Sequence, residues 1–178
     1  MKSIRINSLF VLLLLCTTIF SVGAKNYSFQ FEPVVSQKSF PTNEIRKLYQ
    51  DRDGDIWIPT YKGLLRYDGY TVSTYNMEGS GHKSFINKYV NVVEEDYDHN
   101  LWIGTNNGLY VLNKINGEIQ KIEKTLLETS AVEAIVTFSD GDIWVGGSKG
   151  LYRRKSKDSS FVEVNKSLDV KSMIKDDK

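Results

Sequence analysis

The sequence predicts an all-β protein built from repeated blades, each a sheet of four short antiparallel strands. One motif occurs three times, and in each copy a glycine follows a tryptophan by six positions. The tryptophans are 45 and 42 residues apart. A period of about 40–45 residues holding four strands is typical of a β-propeller blade. The repeat positions are Trp57 and Gly63, Trp102 and Gly108, and Trp144 and Gly150.

Each copy of the motif predicts a turn, a strand, a second turn and a second strand. Two copies begin with Asp-Gly, at Asp53-Gly54 and Asp140-Gly141. Asp-Gly predicts a two-residue hairpin turn in which both residues have positive φ. The tryptophan then lies between two apolar residues, which indicates a strand covered on both faces. We therefore expect the tryptophans to pack between neighbouring blades.

The repeat register divides residues 45–178 into units that start near residues 45, 90, 132 and 170. Opening strands are predicted over 45–50, 90–95 and 132–137, and fourth strands over 70–75, 117–122 and 161–164. The sequence thus predicts three blades and the start of a fourth, an incomplete propeller. Because Lys178 aligns with Asp53 inside a turn, we expect the chain to be the amino-terminal part of a longer reading frame.

Residues 1–24 have the pattern of a secretory signal peptide. Lys2 and Arg5 precede an apolar run over 9–20, and small residues at 22–24 offer a cleavage site. An uncleaved membrane anchor and lipidation of Cys16 are the alternatives, although the bulky residue before Cys16 disfavours lipidation. Residues 25–44 are predicted to hold a leading strand, over 27–32, and a connector.

Composition excludes several classes of function. Removal of residues 1–24 leaves 21 basic and 22 acidic residues and no cysteine. A near-neutral chain lacks the basic surface that nucleic acid requires, so we expect no nucleic-acid partner. Without cysteine, neither a disulfide nor a thiolate metal site can form.

The motif resembles the two-component regulator propeller repeat, D-x-x-G-x-[LI]-W-[IV]-G-T-x-x-G-[LI]-x-x-[YF]. Residues 43–75 are especially similar to the opening of such a propeller, and the resemblance covers about residues 27–178. The chain departs from the pattern at four positions. Pro59 replaces a glycine, His99 replaces the turn glycine, Gly147 replaces a threonine and Phe138 replaces the first aspartate.

The resemblance implies the periplasmic sensor region of a hybrid two-component histidine kinase of Bacteroidetes. It implies an oligosaccharide ligand, further blades and a transmembrane kinase region in a full-length relative anchored in the inner membrane. The resemblance is also compatible with a homodimer of that full-length sensor. The alternatives are part of a secreted propeller lyase or hydrolase, and a secreted interaction scaffold.

No catalytic, cofactor or metal residues are predicted. The acidic residues 51, 53 and 55 lack the glycine and glutamate of an EF-hand loop and are interpreted as turn residues. Loops at one face of a propeller commonly bind ligands. The equivalent loop positions of the three units are the candidate ligand-binding residues, namely Tyr61, Lys62, Asn106, Asn107, Ser148 and Lys149.

Overall fold

The computed structural model describes residues 28–31, 33, 42, 44–75, 89–123, 130–156, 158 and 160–176. The chain divides into two units, Met1–Pro33 and Val34–Lys178. The predicted signal peptide lies outside the described residues.

The described part of the first unit contains no strand. Residues 28–31 are irregular, and the side chains of Phe29 and Phe31 are 82% and 94% exposed. The structure describes residues 28–31 without a strand, so the leading strand predicted over 27–32 is not seen there.

The second unit contains three sheets of four antiparallel strands, each formed by consecutive strands in chain order. The first blade comprises β1 (Tyr49–Gln50), β2 (Ile56–Thr60), β3 (Gly63–Tyr67) and β4 (Val72–Tyr75). The second comprises β5 (Val90–Glu95), β6 (Asn100–Thr105), β7 (Gly108–Asn113) and β8 (Ile119–Lys121). The third comprises β9 (Val132–Thr137), β10 (Ile143–Gly147), β11 (Gly150–Arg154) and β12 (Val162–Asn165). The predicted all-β blade architecture is confirmed.

The opening strand of the first blade is shorter than its sequence predicts. Only Tyr49–Gln50 pairs continuously with β2, and Ile45 makes one isolated bridge to Thr60. Among the described residues there is no helix, and hence none that could cross a membrane.

Two tryptophans pack between blades, as the two-sided burial of their strands predicts. Trp57 is 1% exposed and belongs to a core cluster with Val90, Leu101 and Ile119 of the second blade. Trp102 is 2% exposed, and its ring centroid lies 5.8 Å from that of Phe161 in the third blade. Burial of a large aromatic side chain contributes a large apolar contact area at each of these junctions.

The turn before each tryptophan differs from the predicted two-residue hairpin. In the first blade the loop spans residues 51–55, closed by a hydrogen bond from the amide of Asp51 to the carbonyl of Asp55 at 3.0 Å. Only Gly54 has positive φ, at 91°. The prediction that both Asp53 and Gly54 have positive φ is wrong. A longer turn forms here because the Asp51 carboxylate accepts hydrogen bonds from the amides inside it.

The carboxylate of Asp51 joins this turn to the tryptophan. Its Oδ1 accepts the amides of Asp53 and Asp55 at 3.0 Å each, and its Oδ2 accepts the indole N–H of Trp57 at 2.8 Å. The first aspartate of the motif is therefore a structural turn residue, as interpreted.

The second blade repeats this arrangement. The Oδ1 of Asp96 accepts two turn amides at 2.9 Å, and its Oδ2 accepts the Trp102 indole N–H at 2.8 Å. His99 takes the place of the turn glycine with φ of 60°, so the substitution leaves the turn intact.

The third blade lacks this carboxylate because Phe138 stands in its place. Its turn keeps the backbone hydrogen bonds, with the Phe138 amide 2.9 Å from the carbonyl of Asp142. Trp144 is only half-buried, and the Arg153 guanidinium lies 5.2 Å from its ring centroid. Gly147 replaces threonine because a Cβ there would lie 1.9 Å from the carbonyl oxygen of Ala131.

Small residues allow the start of one unit to approach the preceding blade. A Cβ on Gly104 would lie 2.6 Å from a methyl group of Val132, which begins the third unit. A Cβ on Gly146 would lie 2.4 Å from a methyl group of Val170 in the same way. Val170 therefore sits on the third blade as Val132 sits on the second, which agrees with the predicted register of the fourth unit.

We predict that Trp102→Ala lowers the free energy of unfolding by roughly 3–5 kcal/mol, because it removes a buried aromatic side chain and its hydrogen bond. Trp144→Ala is the matched control, since Trp144 is half-buried and lacks the aspartate partner. Its cost should be clearly smaller. Urea denaturation of both variants tests this, and equal losses would show that the blade junction does not depend on Trp102.

Candidate functional site

The first strands of the blades face a cavity of about 620 Å³, here called the inner-strand cavity. Its walls carry both charged and polar groups alongside apolar ones, which is the mixture found in small-molecule sites. The lining residues are Glu44, Ile45, Arg46, Lys47, Tyr61, Asn91, Glu133, Ala134, Ile135, Lys171, Ser172 and Met173.

The cavity is built from one repeated position, the residue after each unit start. In the second blade the pairing register shifts between Val90 and Val92, which leaves Asn91 as an extra residue. In the third blade Gly147 pairs with Val132 and Gly146 with Ala134, which leaves Glu133 as the extra residue. A β-bulge re-aims a side chain out of the regular alternation of a strand. Here both bulges supply side chains that line the cavity.

The first unit follows the same rule. Ile45 is bridged to Thr60, whereas Tyr49 pairs with Trp57, so one residue is inserted between these two pairs. Arg46 is the equivalent of Asn91 and Glu133, and Lys171 is their equivalent in the fourth unit. The four residues all line the inner-strand cavity.

The bulge residues of the second and third units reach toward the following unit. Asn91 Nδ2 donates to the carbonyl of Val132 at 3.1 Å and to Oδ1 of Asn106 at 3.0 Å. Glu133 is ion-paired with Lys171, whose Nζ lies 3.1 Å from each carboxylate oxygen. These contacts hold the cavity wall together across the blade junctions.

At the first blade, arginine and tyrosine side chains form one corner of the cavity. Arg46 Nη1 donates to the hydroxyl of Tyr61 at 2.5 Å, and its guanidinium carbon lies 5.1 Å from the Tyr61 ring centroid. The ring of Tyr61 meets that of Tyr89 edge to face, with centroids 5.5 Å apart. Tyr61 is thus oriented from two sides.

The structure places the six predicted loop residues in two groups. Tyr61 lines the cavity and Asn106 bonds its wall residue Asn91. The amides of Lys62 and Asn107 close their turns on threonine hydroxyls at 3.1 Å. In the third blade the amide of Ser148 binds the carbonyl of Ala131, and the carbonyl of Lys149 accepts the hydroxyl of Tyr152. None of these four lines the cavity.

The sequence interpretation misses the bulge residues, Arg46, Asn91, Glu133 and Lys171. The available signal is the repeat itself, because each follows the first residue of a unit by one position. These residue types differ between units, so no shared residue type marks the position in the sequence.

A second group of charges lies at the junction of the first and second blades. The Lys114 Nζ lies 2.8 Å from Asp51 Oδ2, 2.7 Å from Asp53 Oδ2 and 2.7 Å from Glu95 Oε1. The side chains of Asp51 and Glu95 are fully buried. Burial by itself lowers the pKa of Lys114, but the hydrogen bonds to these carboxylates outweigh it and raise that pKa above the ordinary lysine value.

This group also contains a geometry that could hold a metal ion. Ligand atoms of Asp53, Glu95 and His99 lie within 4.8 Å of one another. However, the ammonium group of Lys114 lies against Asp53 and Glu95 and already supplies the compensating positive charge. We therefore interpret the group as a structural ion network. The other histidine, His82, lies outside the described residues.

The repeated blades and the inner-strand cavity define a domain of the β-propeller class. Residues 39–61 and 84–107 match the family model described as Two component regulator propeller. The chain therefore carries repeats of the two component regulator propeller family, and the resemblance seen in its motif is confirmed. No curated protein matches the chain.

Solved structures show the same fold at low sequence identity. The extracellular domain of BT3049 from B. thetaiotaomicron, described as a hybrid two component system, is 23% identical with a TM-score of 0.65. The match covers 75% of this chain and 20% of that one. The extracellular domain of BT4673 from the same organism, described as a one component and as a hybrid two component system, is 22% identical with a TM-score of 0.62. That match covers 78% of this chain and 20% of the other.

PorZ of Porphyromonas gingivalis, described as a surface component of the type-IX secretion system, is 14% identical with a TM-score of 0.52. That match covers 68% of this chain and 19% of PorZ. The chain thus spans about a fifth of the length of the solved chains that it matches.

We predict that Lys114→Met lowers the free energy of unfolding by roughly 3–5 kcal/mol, because it leaves buried carboxylates without their cation. Lys62→Met is the control, since that lysine is exposed and makes no ion pair with a described residue. Its stability should stay within about 0.5 kcal/mol of the wild type. Chemical denaturation measures both, and a Lys114→Met variant as stable as the control would rule out the network as a junction element.

We also predict a pH dependence that comes from Glu94 on β5. Burial raises the pKa of Glu94 to about 7, despite the opposing influence of Lys47 and Lys175. The folded protein therefore holds this proton more tightly than the unfolded chain. The stabilisation that comes from the bound proton of Glu94 is fully present below the ordinary pKa of 4.5. It is lost as pH rises through the folded-state pKa of about 7.

Glu94→Gln should remove the loss of folding stability that occurs as pH rises. The variant should match the wild type near pH 4.5 and exceed it in stability at about pH 8, as measured by urea denaturation across that range. Parallel stability profiles for the two proteins would contradict the assignment to Glu94.

Proposed function

We propose that this chain is part of the ligand-sensing region of a two-component regulatory system and works outside the cytoplasm. The observation that carries the proposal is the inner-strand cavity, formed by equivalent residues of successive propeller repeats. Similarity to extracellular domains described as two component systems supports this role. The signal peptide pattern at residues 1–24 supports export to the periplasm.

The chemistry of the cavity favours an oligosaccharide ligand. Sugars present hydroxyl groups to polar side chains and apolar ring faces to aromatic rings. Tyr61 offers an aromatic ring beside the cavity, and Asn91, Ser172 and Arg46 offer polar groups around it. The volume of about 620 Å³ is in the range of small-molecule sites.

The same contacts favour binding over catalysis. General acid–base chemistry on a glycoside needs two carboxyl groups flanking the scissile bond. Within the described residues, the carboxyl groups that line the cavity are Glu44 and Glu133, and Glu133 is ion-paired with Lys171. Lys171 thus lies against both carboxylate oxygens of Glu133, so the two cavity carboxyl groups are not both available to flank a scissile bond.

A ligand in this cavity would act as a link between blades. Arg46, Asn91 and Glu133 come from three different blades, so one bound molecule could contact all of them. A ligand that binds one arrangement of the blades more tightly shifts the population toward it. In our proposal, a transmembrane kinase region outside this chain reads that shift.

Isothermal titration with short oligosaccharides tests the proposal. We expect Tyr61→Ala to weaken binding at least about tenfold, because it removes the aromatic surface and the partner of Arg46. Lys62→Ala is the matched control, since Lys62 is the next residue and does not line the cavity. Its affinity should equal that of the wild type. Failure of every neutral and acidic oligosaccharide to bind would refute the proposal.

A further inference from the structure

The inner-strand cavity contains an arginine that has no carboxylate partner among the described residues. Three other arginines are ion-paired: Arg66 with Asp55, Arg153 with Asp142 and Arg52 with Glu95. Arg46 instead donates to the neutral hydroxyl of Tyr61. Its positive charge is therefore uncompensated within the described structure.

The carboxylate of Glu133, which also lines the cavity, does not compensate this charge. Both oxygens of Glu133 are held by Lys171 at 3.1 Å, and Lys171 is also paired with Asp169. Glu44, which like Arg46 is exposed and lines the cavity, lies two residues before Arg46 and makes no ion pair within the described part of the chain. Lys47, next to Arg46, adds a second positive charge to the same wall.

Arginine is the side chain best suited to recognise a carboxylate. Its guanidinium presents five N–H donors in a planar fork that matches the two oxygens of a carboxylate. One donor of Arg46 is used by Tyr61, which also holds the guanidinium close to its ring. The remaining donors are available at the cavity wall, and the fork is partly fixed in place before any ligand arrives.

We infer that the cavity binds an acidic oligosaccharide, with the carboxylate of a uronic acid residue on Arg46 and the sugar ring beside Tyr61. This inference rests on the proposed function and narrows its ligand class. The carboxylate supplies charge-assisted hydrogen bonds, which are about twice as strong as neutral ones. Neutral sugars of the same size lack this contact.

Titration calorimetry with three probes tests the inference. The probes are trigalacturonate, its methyl ester and a sulfated trisaccharide. We expect trigalacturonate to bind at least about tenfold more tightly than its ester, since the ester lacks the charge-assisted hydrogen bonds to Arg46. Raising the salt concentration should weaken binding of the acid and leave that of the ester unchanged.

Substitutions at Arg46 connect this preference to the site. Arg46→Gln should reduce the acid-over-ester ratio to about one, and Arg46→Lys should retain only part of it because lysine lacks the fork. Lys166→Gln removes the same charge from an exposed turn outside the cavity and should keep the full ratio. Thermal melting of each variant verifies that the blades remain folded.

The outcomes separate the inference from the proposed function. Equal affinity for acid and ester would overturn the inference and leave the oligosaccharide sensor standing. Tighter binding of the sulfated probe would overturn the carboxylate assignment in favour of a sulfate ester. Retention of the acid preference in a folded Arg46→Gln variant would overturn the role of Arg46. Binding of none of the probes, together with no binding of neutral oligosaccharides, would overturn both.

Discussion

The first two blades depend on a hydrogen bond between a turn aspartate and the tryptophan six positions later. In the first two blades one carboxylate oxygen holds the amides of the turn and the other holds the indole N–H at 2.8 Å. A buried indole needs a partner for its N–H, and this carboxylate supplies it without exposing the ring. The turn that ends one strand thereby fixes the side chain that packs on the next blade.

The third blade lacks this interaction, and its tryptophan is packed differently. Phe138 cannot accept the hydrogen bond, and Trp144 is half-buried beneath Arg153 rather than enclosed between sheets. The blades also differ in how their carboxylates are compensated. At the first junction Lys114 compensates three carboxylates, whereas the equivalent position in the third blade is Ser156, whose amide binds Asp142 of its own blade. Equivalent backbones thus carry individually adapted side chains.

The inner-strand cavity is a consequence of bulges at a repeated position. A regular strand would direct alternate side chains into the blade junctions, where Val90 and Val92 are fully packed. One inserted residue per blade aims Asn91 and Glu133 into the cavity without disturbing their apolar neighbours. The scaffold is thereby free to vary the residues of the site while its core stays constant.

The sequence by itself determined the blades, because their period, tryptophans and turn glycines are local signals that each repeat carries. It also predicted loop residues of which Tyr61 lines the inner-strand cavity and Asn106 bonds the wall residue Asn91. Only the tertiary structure decided which polar residues meet. The bulges at Asn91 and Glu133 arise from strand pairing, and the Lys114 network joins residues more than sixty positions apart. The bulges share no residue type because they come from strand pairing within a blade, and the Lys114 network leaves no local pattern because it depends on how the first blade is set against the second.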